Sequence, residues 1–180
     1  MTSANTNIQS SPPTLFPEYT KPGGTKYVYR ESEFWTSGFF PGCIYLLLQR
    51  QRRYPQAFPS APFSGIPQTP HPLQLQYACK WWTVNLYQNA SLTTTHDLSF
   101  MISPWAHLAW ELDHDVKAYE TLITAAKTLA TRYNMKIECL RSWDTCVTKR
   151  YSFTDPSLDF LVIIVGQHLA CLLTALAHYK

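Results

Sequence analysis

Asp97 follows a run of hydroxyls and an imidazole, Thr93-Thr94-Thr95-His96, and opens a stretch of helix-forming residues. A carboxyl group in that setting has two uses. It can cap or charge the helix N-terminus, the commoner fate of such an Asp, because its oxygens accept the first unpaired N–H groups. Alternatively, it can give and take a proton, provided its surroundings hold it for that task. On the residues alone the cap is the favoured use. Trp35, in Phe34-Trp35-Thr36, and Trp143, in Arg141-Ser142-Trp143-Asp144, offer ring faces that either stack on a flat apolar ligand face or fill a core. His96 and the cluster Asp113-His114-Asp115 carry metal-ligating side chains. Neither supplies a third ligand at a recognisable spacing, so solvated helix ends are expected and no metal or other cofactor.

These side chains need elements to position them. Residues 1–30 mix Ser, Thr, Asn, Pro and Gly without periodicity and read as an extended lead-in rather than a packed element. A first helix begins at Pro41, carries Ile44, Leu47 and Leu48 on an apolar stripe, and closes on the basic run Gln49-Arg50-Gln51-Arg52-Arg53. Six prolines at 55, 59, 62, 67, 70 and 72 then exclude any helix and predict a long surface loop. The spacing of Leu75, Ala78, Cys79, Trp82 and Leu86 predicts a second helix over Leu73–Asn89. A third is expected over Asp97–Leu112, with N-cap hydroxyls from the preceding threonines and a kink or early break at Pro104. The fourth, from Val116 to Tyr133, has the clearest amphipathic face, through Tyr119, Leu122, Ile123, Ala126, Leu129 and Ala130. After Asn134 the pattern admits brief strands or extended loop. Residues 160–179 carry no charged side chain, yet Gln167, His168, Thr174 and His178 make them amphiphilic, so a buried or exposed helix is expected before a membrane span. The sum is an all-α chain of successive helix pairs joined by long loops, an α/α toroid or solenoid.

Composition narrows the classes further. With 180 residues and 46% hydrophobic content the chain has material for one core. Its net charge of +3 is spread along the sequence, so nucleic acid is not an expected partner. Six Trp, eleven Tyr and nine Phe exceed what a core alone requires and suit a cleft that stacks faces such as sugar rings, although most are expected to fill the core. Five cysteines form no CxxC pair and leave one over, as expected of reduced, mostly buried thiols. The N-terminus has no basic start and no apolar run, which reads as a cytoplasmic setting, and the sequon Asn89-Ala90-Ser91 is discounted accordingly.

Three segments carry a family resemblance. Phe34-Trp35-Thr36-Ser37-Gly38-Phe39-Phe40-Pro41-Gly42 is similar to the entrance motif of family 88 glycoside hydrolases, the unsaturated glucuronyl hydrolases, where a Trp-Thr-x-Gly-Phe-aromatic run leads into the first barrel helix. Thr95-His96-Asp97-Leu98-Ser99-Phe100-Met101 resembles the family's His-Asp-Leu-Gly-Phe-Met, and Arg141-Ser142-Trp143-Asp144 its Arg-Ser-Trp-Asp. The three stand in the family's order, and the resemblance spans about residues 17–164. It implies the N-terminal half of a six-hairpin barrel, with a lead-in over 1–30, the partial glycosidase-like domain over 31–164 and a divergent apolar tail over 165–180. It implies Asp97 as a catalytic aspartate, with Trp35, His96, Trp143 and Asp144 around the substrate; for the last two a structural role is as well supported. The family's reaction removes a 4,5-unsaturated uronic acid from the non-reducing end of lyase-generated oligosaccharides. A carboxyl group protonates C4 of the vinyl ether, water adds at C5, and the hemiketal opens with loss of the remaining sugar. Such chemistry needs one carboxyl poised to exchange a proton beside another that stays charged.

The sequence departs from the family where the second aspartate is due. Phe160-Leu161-Val162-Ile163-Ile164 matches the segment that precedes it, and Val165 stands in its place. A valine transfers no proton, so the chain is expected to be inactive. Valine codons begin with the dinucleotide that opens most introns, and residues 165–180 are open to being read as untranslated sequence. A partial barrel also leaves apolar helix faces uncovered, from which self-association is expected. The other functions weighed are a non-catalytic sugar binder, a membrane-tethered remnant, and a relative of the unsaturated rhamnogalacturonyl hydrolases.

Overall fold

The structure, a computed structural model, describes residues 11–57, 70–135 and 139–140. An antiparallel hairpin, β1 (Leu15–Thr20) and β2 (Tyr27–Glu31), precedes four helices: α1 (Phe39–Arg53), α2 (Pro72–Thr83), α3 (Leu98–Asp113) and α4 (Val116–Ala130). A 3₁₀ turn over Tyr87–Ser91 follows α2, and a two-residue pair, β3 (Tyr133–Asn134) with β4 (Cys139–Leu140), follows α4. The pair α1 and α3 forms the centre, with α2 packed against α1 and α4 against α3. This is an all-α arrangement of successive helical hairpins.

The core lies among the facing sides of the four helices. Tyr45 and Leu48 from α1, Cys79 from α2, Leu98, Met101, Ile102 and Trp105 from α3, and Leu122 and Leu129 from α4 are all buried. With buried Leu75 on α2 and Ala126 on α4, these recur at three- or four-residue steps along their helices, which puts the apolar side chains on one face and makes burial the dominant stabilising term. Trp105 keeps its indole satisfied by donating to the Met101 carbonyl at 2.8 Å, one turn earlier.

Helix ends follow local chemistry. His71 caps α2 by accepting from Leu73 N at 3.2 Å, Gln74 Oε1 accepts from His71 N at 2.9 Å, and Pro72 occupies the first helical position, where its missing N–H costs nothing. Asp115 caps α4 by accepting from Ala118 N at 3.1 Å. Between α3 and α4 the chain reverses at His114, whose φ of 51° is the left-handed conformation that ends α3.

Four expectations are corrected. Residues 15–31 do not form an unpacked lead-in: they pair as a hairpin whose Phe16 is buried and meets Trp82 edge-on at 5.8 Å, so the core begins before residue 31. Proline and glycine content concealed the pairing, and the contact of Phe16 with Trp82 that anchors it is non-local. The second helix ends at Thr83 rather than Asn89, and just beyond that end Asn85 is drawn to the Pro12 and Pro13 carbonyls. Asn89 then donates to Ser32 O at 2.6 Å with its side chain buried, which leaves no room for a glycan. Nor does Pro104 break α3, which runs unbroken through it. Its ring packs where Gly42 of α1 has no side chain; a Cβ there would come within 2.8 Å of Pro104 Cβ. Tertiary packing thereby outweighs the lost hydrogen bond. Fourth, Asp113, His114 and Asp115 are not simply solvated helix ends. Asp113 accepts from Arg52 Nη2 at 2.7 Å and Gln76 Nε2 at 3.0 Å, joining α1, α2 and α3.

Candidate active site

A cleft of about 650 Å³ opens between the turn that follows β2 and the start of α3. It is lined by Glu33, Phe34, Trp35, Thr95, His96, Asp97, Phe100 and Met101. Three of the residues singled out from the sequence, Trp35, His96 and Asp97, therefore meet in one place although sixty residues separate the first from the others. Trp143, Asp144 and Val165 lie outside the described residues.

Asp97 stands at the N-cap position of α3, yet its side chain makes no capping bond. The cause is local. Thr95 Oγ1 donates to Asp97 Oδ2 at 2.9 Å and accepts from Asp97 N at 3.1 Å. His96 Nε2 approaches the other oxygen, Oδ1, at 3.2 Å. Both carboxylate oxygens are thus held by the two residues immediately before it, and the group lines the cleft instead of folding back over the helix end. Its side chain is 15% exposed and that of His96 11%, so both are largely shielded yet reachable from the cleft. The loop that carries them is pinned from beneath: the buried Arg132, at the end of α4, donates to the Thr93 carbonyl.

Part of the lining is aromatic. Trp35 meets Phe39 at 5.9 Å and Phe100 at 5.8 Å in edge-on geometry, and Phe34 at 6.2 Å. Trp35 nevertheless remains 42% exposed, so part of its ring is available to a ligand face. Contact between this wall and α3 depends on Gly38. A Cβ there would lie 2.3 Å from the Phe100 carbonyl oxygen and 2.4 Å from that of Met101, so only glycine lets the start of α1 approach so closely.

Sequence reasoning missed Thr95, Glu33, Phe100 and Arg132 as parts of this site. Thr95 had a legible signal, a hydroxyl two residues before an Asp, which can compete for that Asp with the helix end. Phe100 stood within the motif that contains Asp97, and Arg132 had no signal, because its role arises from a contact far apart in sequence. Among the described residues no group of three or more His, Cys, Asp and Glu side chains is placed to hold a metal ion. No described helix is long and apolar enough to cross a membrane, and residues 160–179 lie outside the described part.

Fold and cleft together define a class: a segment of an α/α toroid with a carboxylate and an exposed indole lining one cleft. Comparison with known proteins refines this. The chain is 30% identical over 136 residues to an unsaturated glucuronyl hydrolase of Formosa agariphila, covering 74% of this chain and 27% of that protein. It is 27% identical over 128 residues to an unsaturated chondroitin disaccharide hydrolase of Streptococcus agalactiae, covering 70% of this chain and 28% of the relative. The crystal structure of an unsaturated glucuronyl hydrolase specific for heparin superposes with a TM-score of 0.56 at 26% identity, over 77% of this chain and 32% of that one. No protein-family model matches the sequence. The chain is therefore related, in sequence and in fold, to the unsaturated glucuronyl hydrolases, and it spans a little over a quarter of the length of the curated relatives it matches.

Proposed function

We propose that the cleft is the part of a family 88 glycoside hydrolase site that receives a 4,5-unsaturated glucuronic acid at the non-reducing end of an oligosaccharide. The observation that carries this is the placement of Asp97, at a helix N-cap but engaged by Thr95 and His96 and lining a cleft with an exposed indole. A carboxylate needed only for stability would cap the helix; one held off it is available to a ligand. In this reading Trp35 stacks on the sugar ring, His96 orients Asp97, and Asp97 faces the vinyl ether. Trp143 and Asp144 complete the surroundings of the substrate.

Hydration of that bond places a proton on C4 and hydroxyl on C5, and the hemiketal then expels the remaining sugar as an alcohol. One carboxyl must deliver the proton to C4 and recover one from the attacking water, while a second stays charged beside it. Asp97 accounts for one of the two. The family's other aspartate corresponds to Val165, and we infer that this chain binds the unsaturated sugar without turning it over. A non-catalytic sugar binder is then the second reading, favoured by the same exposed Trp35.

Two measurements on the full chain decide the matter. Titration calorimetry with an unsaturated uronic disaccharide should show binding that Trp35→Ala abolishes. Loss of the vinyl-ether ultraviolet absorbance should not occur; turnover that Asp97→Asn removes would uphold the site and refute the inactivity. Absence of binding would refute the site itself.

A further inference from the structure

The described lining of the cleft is electrostatically wrong for an acidic sugar if taken by itself. Its charged or chargeable groups are the carboxylates of Glu33 and Asp97 and the imidazole of His96, and His96 is already turned to Asp97. An oligosaccharide bearing carboxylate or sulfate meets two like charges on entering, which costs affinity unless a cation offsets them.

A cation lies against one of the lining residues. Arg30, on β2, holds its guanidinium carbon 4.9 Å from the centre of the Phe34 ring, and Phe34 lines the cleft next to Trp35. Its Nε donates to Glu18 Oε2 on β1 at 2.6 Å. That bond and the aromatic ring together hold the group in place. Its two terminal nitrogens donate to no described residue, and the side chain is 41% exposed. The hydrogen bond and charge of Glu18 raise the Arg30 pKa above its ordinary value, so the group is a permanent cation. A guanidinium engaged along one edge presents the other as a planar fork, which matches paired oxygens of a carboxylate or sulfate.

We propose that Arg30 is a specificity-determining residue of this cleft, taking in its terminal fork an acidic group, carboxylate or sulfate, on the sugar next to the ring stacked on Trp35. The hairpin that carries it becomes a reader of substrate charge. Glu18 is a positioning residue that aims the fork, and the ring of Phe34 links reader to cleft. The proposal rests on the reading of the cleft as a site for unsaturated uronic oligosaccharides.

The test is titration calorimetry of the full chain with three unsaturated disaccharides: one sulfated on the second sugar, one carboxylated there, and one neutral there. Arg30→Gln should weaken binding of the acidic compounds about tenfold, the scale of one lost charge-assisted pairing, and leave the neutral one within about twofold. Arg30→Lys, which keeps the cation and the pairing with Glu18 but loses the fork, should fall between. The stronger effect among the two acidic compounds identifies which anion is read. An equal loss for neutral and acidic compounds in Arg30→Gln, or no loss, overturns the proposal. Trp35→Ala separates the two levels of argument: if it abolishes binding while Arg30→Gln fails to discriminate, the cleft stands and Arg30 falls. If the wild-type chain binds none of the three, the cleft reading fails and the proposal with it.

Discussion

Gly38→Ala should destabilise the chain by about 3 kcal/mol, and the sign of that change is what tests the argument. The backbone at Gly38 has φ −77° and ψ −20°, which any L-residue adopts without strain. In open space the substitution would stabilise by roughly 0.4–1 kcal/mol, because alanine has less conformational freedom to lose on folding. Here the new methyl group would lie 2.3 Å from Phe100 O, 2.4 Å from Met101 O and 2.7 Å from Met101 C. All three are backbone atoms, so no rotamer change relieves the overlap, and α1 must move from α3 by about an ångström in an interior that is close-packed. Overpacking of this kind costs about 1–3 kcal/mol, and the rigidity of the obstacle places the substitution at the upper end. Since typical domains are stable by about 5–15 kcal/mol, the loss is a large fraction of the total. Urea unfolding of the full chain, followed by far-ultraviolet circular dichroism, measures it. The same displacement parts Trp35 from Phe100, so sugar binding should weaken with stability. An unfolding midpoint at or above that of the wild type would refute the close approach of the two helices, and with it the construction of the aromatic wall.

Other substitutions probe the remaining parts. Asp115→Ala should cost about 1 kcal/mol because a true N-cap bond to Ala118 N is lost, whereas Asp97→Asn should change stability by less than about 0.5 kcal/mol, both read from denaturant midpoints. Burial pushes the Cys79 thiol from 9.0 up to about 12 and the Tyr87 hydroxyl from 10.0 up to about 12. The unfolded chain releases these protons first, so above about pH 9 it binds fewer protons than the folded one, and stability should fall as pH rises from about 9 towards 12. Peptide mapping after alkylation of the native chain at mildly alkaline pH should find Cys43 modified and Cys79 protected, since the first is exposed and the second buried. Leu46 and Leu47, exposed on α1, present an uncovered apolar face, and we expect Leu46→Lys with Leu47→Lys to reduce any self-association seen by sedimentation velocity.

Much of the fold was legible because helices announce themselves locally. The three- and four-residue recurrence in α4 places Leu122, Ala126 and Leu129 on one side irrespective of what covers them, and those residues are buried as the pattern requires. Boundaries were less legible. Just beyond the early end of α2, Asn85 reaches carbonyls at Pro12 and Pro13, more than seventy residues away, and the continuity of α3 through Pro104 depends on a glycine in another helix. The β1–β2 hairpin was hidden because β1 contains Pro17 and the strands are short, and their stability comes from Phe16 entering a core built by the helices.

The sequence by itself determined the helical hairpins and the order of the three motifs, and through the resemblance it singled out Asp97, since periodicity and motif are properties of neighbouring residues. It left open whether Asp97 caps a helix or lines a cleft, because the same residue at the same position serves either use. Only the tertiary structure decided that, through the Thr95 hydroxyl and His96 imidazole that hold the carboxylate and through Arg132, which anchors their loop from the far end of α4. It also brought Trp35 to the same cleft as His96 and Asp97, a juxtaposition that depends on the close packing of the start of α1 on α3 at Gly38 and that no local pattern encodes.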